Sequence, residues 1–195
     1  MNAIKGILTV IGLITVIGLI LVTIKVMPYV SQASEFEPEA AGVYLDMAKK
    51  LLETGNAAEA TVWKVKVNEG LTPEDVEQSM KSIASSNNIK NVGELPLYRE
   101  VAAMSGQDYR FVKIYMFCNA LTAAKMLDFN DSFSAYLPCR VALIEDLTGQ
   151  LWLYSLNMDM MIYGGKPLPP ELKETAIGVK KTILEIMKGG AEGDF

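Results

Sequence analysis

The chain has 195 residues, 50% of them apolar and 21% charged, with 23 acidic residues against 18 basic ones and no histidine. The missing imidazole excludes Ser-His-Asp and Cys-His nucleophile systems, the usual zinc sites and His-ligated haem. Every acid lies after residue 26 and no run of bases occurs, which argues against nucleic-acid binding, because phosphate affinity comes from clustered Lys and Arg.

Residues 6–24 (GILTVIGLITVIGLILVTI) carry no charge and are fenced by Lys5 and Lys25. As a helix at about 1.5 Å per residue this stretch covers about 28 Å, close to a hydrocarbon core of about 30 Å. Residues 6–26 are therefore read as lying in a membrane. The chain divides into an N-terminal anchor at 1–28, a linker and spacer helix at 29–59, and an α+β domain at 60–190. The hexamer TVIGLI occurs at 9–14 and again at 15–20. A six-residue step turns Gly12 and Gly18 to different faces, and Gly-x-x-x-Gly is missing, so the span reads as a simple lipid-facing anchor. Lys5 before the span and Glu35, Glu37 and Glu39 after it place the N-terminus in the cytoplasm and the C-terminal domain outside, in a periplasm or at the cell surface. A cleaved secretory signal is the alternative, since Ser31-Gln32-Ala33 is a small-x-small site, although the apolar region exceeds the about 7 to 15 residues usual there. Either fate exports the domain.

Residues 28–41 mix Pro, Ser and acids and read as a short linker. Over 43–54, Tyr44, Leu45, Ala48, Leu51 and Leu52 form a helical stripe that Gly55 closes, a spacer or docking helix. In 60–67 (ATVWKVKV), Lys64 and Lys66 alternate with Trp63, Val65 and Val67, the pattern of a half-buried strand. Thr72-Pro73-Glu74-Asp75 starts a helix with a capping Thr, Pro at the first position and acids in the first turn. Val76, Met80 and Ile83 follow at helical spacing, and Asn87-Asn88 ends it. Residues 89–106 read as irregular, with Pro96 restricting the chain to an edge or turn and a short helix over 97–104. A strand over 110–117 (RFVKIYMF) precedes a helix over 120–128 capped by Asn119. Strands at 140–145 and 151–156 are joined by a hairpin turn with Gly149 where φ can be positive. A long helix over 171–188 turns Ile177, Leu184 and Met187 inward and stops before Gly189-Gly190. This order predicts an α+β class, a single domain with helices packed on one β-sheet, preceded by one N-terminal transmembrane helix.

Phe117-Cys118-Asn119 after a strand, Leu137-Pro138-Cys139-Arg140 opening the next, and the block at 151–159 (LWLYSLNMD) resemble the domain-of-unknown-function 302 family. Three separated motifs occur in the right order, and the similarity covers residues 61–188. The resemblance implies a compact α+β fold on a mixed sheet, often a dimer, and no established biochemical activity. Many relatives have Pro after the Cys-Asn pair, where this chain has Ala120.

Cys118 and Cys139 are the only cysteines, each at the border of a strand. Three readings stand: small buried hydrophobes, a disulfide that an exported domain would keep, or a thiolate site for a soft metal or reactive group with Asn119 and Arg140 beside the sulfurs. No C-x-x-C occurs, against thioredoxin-type and zinc-ribbon chemistry. Met158 with thiolate would suit Cu(I), while the 11 methionines otherwise read as core filler or an oligomer interface. Asn157 and Asp159 leave a strand towards Gly164-Gly165, where loop residues face ligands. Glu145-Asp146 read as turn residues, and Arg140 either binds an anion or pairs with an acid. No catalytic residue and no cofactor is assigned. The leading reading is a non-enzymatic, membrane-anchored envelope module, a homodimer, that binds a small ligand or partner protein where Cys118, Asn119, Cys139, Arg140, Asn157 and Asp159 converge at strand ends. The alternatives are a thiol-based redox or soft-metal-handling protein using Cys118 and Cys139, and a structural subunit docked on a membrane-protein partner.

Overall fold

A computed structural model describes residues 2–194. Helix α1, Asn2–Ala33, contains the uncharged stretch and is long and apolar enough to cross a membrane. Its described side chains are exposed. The hydroxyls of Thr9, Thr15 and Thr23 donate to the carbonyls of Lys5, Ile11 and Leu19, at 2.9, 2.9 and 2.8 Å. Each polar side chain of the uncharged stretch is thus satisfied within the helix.

Helix α2, Ala40–Thr54, ends on Gly55, which takes the left-handed conformation (φ +66°) and donates its N–H to Leu51 O. A short helix α3, Ala57–Ala60, leads into strand β1, Val62–Lys66. Helix α4, Pro73–Ser86, opens on a reciprocal capping box: Thr72 N donates to Asp75 Oδ2 at 2.8 Å, and Asp75 N donates to Thr72 Oγ1 at 3.2 Å. The chain continues through β2, Lys90–Leu95, and α5, Leu97–Ser105. Then come β3, Val112–Cys118, α6, Ala120–Phe129, and a 3-10 helix, Asp131–Tyr136. The hairpin β4, Cys139–Glu145, and β5, Leu151–Leu156, precedes α7, Asp159–Tyr163, and α8, Pro170–Glu192.

The five strands form one sheet in the order β1-β5-β4-β3-β2. Helices pack on this sheet as the element order predicts, but every neighbouring pair is antiparallel, so the sheet is not mixed. The reason lies in the long connection through α4. It carries the chain from β1 to β2, which run in the same direction but occupy opposite edges and never pair. Helices α4 and α8 pack against each other, and the core they close includes Met80, Tyr115, Phe117, Val141, Leu143, Leu153, Ile183 and Met187, all essentially inaccessible. Strand alternation puts Tyr115, Val141, Leu143 and Leu153 on that face and Ile114, Arg140, Ala142 and Tyr154 on the other.

Two expectations change. The short helix expected over 97–104 is α5, but the residues before Pro96 are not irregular: β2 pairs with β3 across a register shift between Asn91 and Gly93, and the sequence there lacks the apolar alternation that would reveal a strand. Helix α8 also runs through Gly189-Gly190 to Glu192, because the two glycines are where α4 approaches it closely. A Cβ on Gly190 would lie 2.5 Å from Met80 Cγ, and one on Gly189 would lie 2.2 Å from Ile83 Cδ1.

Candidate functional site

Strand β4 begins, β5 ends and β1 begins at the same end of the sheet, fixed by the pairs Phe117↔Cys139 and Val62↔Leu156. A cavity of about 260 Å³ lies there. Val62, Ile114, Ala142, Tyr154 and Leu156 line it from the sheet face away from α4 and α8, and Cys139 and Ser155 from the face towards them. The cavity therefore wraps round the sheet end. Met126 of α6, Phe133 and Tyr136 of the 3-10 helix, Met161 of α7 and Val179 of α8 complete its wall. Its size falls just below the roughly 300 Å³ at which small-molecule sites begin. A smaller pocket of about 80 Å³ adjoins it, sharing Tyr136, Leu156 and Met161, and draws Val43, Asp46 and Lys50 from α2.

The residues singled out from the sequence fall into three groups. Cys139, Arg140 and Met158 line the large cavity, and Asn157 and Asp159 line the small one. Cys118 and Asn119 line neither. Asn119 is occupied as the cap of α6: its Oδ1 accepts from Leu121 N and Thr122 N, both at 3.1 Å, and its Nδ2 donates to Asn88 O at 3.2 Å. Cys118 follows Phe117, the partner of Cys139, so alternation sends the two cysteine side chains to opposite faces of the sheet. Both thiols are free. Burial pushes both upward; Cys139 reaches about 11, with neighbouring Cys118 adding to the effect. Each is therefore a neutral thiol at pH 7. Among the described residues no three His, Cys, Asp or Glu side chains cluster as metal ligands.

Asn157 Oδ1 accepts from Asp159 N at 2.8 Å, which turns the chain out of β5 into α7. The Asp159 carboxylate is ion-paired with Lys180 of α8. Arg140 is exposed, and among the described residues its guanidinium has no ion pair. Its backbone oxygen accepts from Ser155 Oγ at 2.8 Å, which fixes the β4–β5 rim of the cavity.

Sequence reasoning overlooks the contribution of α2 and the 3-10 helix. The signal for the 3-10 helix is Asn130, whose Oδ1 accepts from Ser132 N at 2.9 Å. Helix α2 is held by its neighbours: Tyr44 donates its hydroxyl to Gly164 O at 2.6 Å. Just before it, Glu37 N donates to Gly165 O at 2.8 Å, and the buried Glu37 Oε1 lies 2.8 Å from Lys173 Nζ. Glu35 pairs with Lys166. The segment between α1 and α2 is thus bonded to α8 and to the turn before it.

These features define an α+β domain with a five-stranded antiparallel sheet and a mainly apolar cavity at one sheet end, behind a helix able to cross a membrane. Residues 63–189 match the family described as Domain of unknown function DUF302, and the chain belongs to that family. Among solved structures it is similar to the crystal structure of an uncharacterized conserved DUF302 protein from Bacillus stearothermophilus. The two are 17% identical, with a TM-score of 0.53 over 66% of this chain and 96% of that one, so they share the fold. No curated protein matches the chain.

Proposed function

We propose that the protein is a membrane-anchored, non-enzymatic binding module of the cell envelope that holds a small ligand in the cavity at the sheet end, with the N-terminus cytoplasmic and the domain outside. The observation that carries this is the chemistry of the wall. It is built mainly from Val, Leu, Ile, Met, Phe and Tyr; Cys139 in it is a neutral thiol, Asp159 beside it is paired with Lys180, and Arg140 borders it as an exposed guanidinium. Such a wall favours the apolar body of a ligand at about 25 cal/mol per Å² removed from water. In this reading the module is a homodimer, since Met116, Ile144 and Trp152 stay half-buried on the face away from α4 and α8, where a second copy would complete their burial.

The test is a native mass spectrum of the full chain extracted from its own membrane. A stoichiometric extra mass on a dimer, lost when Ala142→Phe fills the cavity, is expected. A bare chain in both spectra would count against ligand binding, and a monomer against the dimer. A second reading, a subunit docked on a membrane-protein partner, rests on Leu45 and Leu52, which lie seven residues apart on one side of α2 and are both exposed. Purification as a lone species in gentle detergent would weigh against it.

A further inference from the structure

Resting on the binding reading above, we propose that the ligand class is a medium-chain fatty acid, its acyl chain short enough for the cavity of about 260 Å³ at the sheet end and its carboxylate on Arg140. Three observations meet here. The wall offers Val62, Met126, Leu156, Met161 and Val179 to the chain. Methionine side chains are unbranched and flexible, so they adapt to a flexible chain more readily than to a rigid ring. Arg140 borders the same cavity, is exposed, and among the described residues has no acidic partner. A guanidinium binds a carboxylate through two parallel N–H donors, which a neutral head group cannot match.

The third observation concerns the source. Only residues 34–39 separate α1 from α2, and α2 supplies part of the adjoining pocket. A helix able to cross a bilayer is thus tied to the helix beside the site, and Glu37 and Tyr44 hold that connection against α8 and the turn before it. A fatty acid moving from bilayer to cavity exchanges one apolar environment for another, so its chain is nearly neutral in the transfer and the head group decides retention. Arg140 is the group that supplies that preference.

The experiment is photolabelling of the full chain in phosphatidylcholine nanodiscs with a diazirine-bearing decanoic acid, mapped by peptide mass spectrometry. Its controls are the corresponding diazirine-bearing alcohol and an Arg140→Glu variant. The expected result is acid labelling of cavity peptides containing Met126, Phe133 or Met161. Arg140→Glu lowers that labelling at least about tenfold, since it removes both N–H donors and sets a like charge in their place, while labelling of α1 stays constant. Arg140 is exposed, so the variant should fold, and an unchanged melting temperature checks this. Acid labelling confined to α1, or cavity labelling equal for acid and alcohol and indifferent to Arg140, overturns the proposal. If a native spectrum still shows an extra mass that Ala142→Phe removes, the fatty-acid assignment fails and the binding reading survives. If neither appears, both fail.

Discussion

Cys139 stands in the cavity wall with its thiol pushed up to about 11, first by burial and then by neighbouring Cys118. The thiolate, not the thiol, attacks an alkylating reagent, so the rate of Cys139 modification by iodoacetamide should climb with pH up to about 11. A plateau near pH 8 would show a thiolate that this burial does not permit. At this scale the sequence was informative about which residues stand at the sheet end and silent about where they point. Cys139, Arg140, Asn157 and Asp159 line the two pockets, whereas Cys118, paired with Lys90 of β2, lines neither. That pairing is a long-range fact, and a single position's slip reverses the face. Asn119 was legible twice, as a cap and as a site residue. Capping occupies its oxygen with two backbone donors.

Among the elements, α4 and α8 owe their close approach to glycine. Gly190→Val would drive its side chain into Met80 and is expected to destabilise the domain by about 3 kcal/mol. Gly178 lies in the same helix, where an added Cβ would meet nothing within 4 Å, and Gly178→Ala should stabilise by about 0.5–1 kcal/mol. Chemical denaturation of the two variants checks both signs. A glycine pair after a helical stripe reads as a stop from sequence alone, since the stop and the close packing use the same residue. Strand β2 is anchored differently. Glu94 lies 2.6 Å from both Lys81 and Lys113, and Lys113 lies 2.7 Å from Glu77, which also accepts from Tyr115 Oη at 2.8 Å. Burial alone would raise Glu94; hydrogen bonds from Lys113 and Lys81 outweigh it and bring the carboxyl from 4.5 down to about 2. A carboxyl lowered in the folded state adds stability above its unfolded value and loses it on protonation. The contribution of Glu94 is therefore complete above pH 4.5 and fades as pH falls towards 2. Glu94→Gln should melt below the parent chain at pH 7, with the gap closing across that window. A pH-independent gap would contradict this role.

For the whole molecule, the connection between α1 and the domain is bonded to the domain. Glu37 is buried against Lys173 and Tyr44 donates to Gly164 O, so α1 and the site-bordering α2 are coupled to α8 and the turn before it. Glu37→Gln should loosen the stretch at 34–39, seen as faster protease cleavage there in detergent while the sheet domain stays resistant. Cleavage at the parent rate would mean that the ion pair does not hold the connection. The linker composition made this segment look like free chain; the buried acid partnered by a lysine 136 positions later was not visible from local sequence. The measurement closest to the central claim compares alkylation of Cys139 and Cys118 at pH 9 in the full chain as extracted and after exhaustive delipidation. Cys139 borders the cavity and Cys118 lies outside it. A bound ligand should protect Cys139, whose rate then rises on delipidation while that of Cys118 stays constant. Identical rates for Cys139 before and after would contradict an occupied cavity at the sheet end.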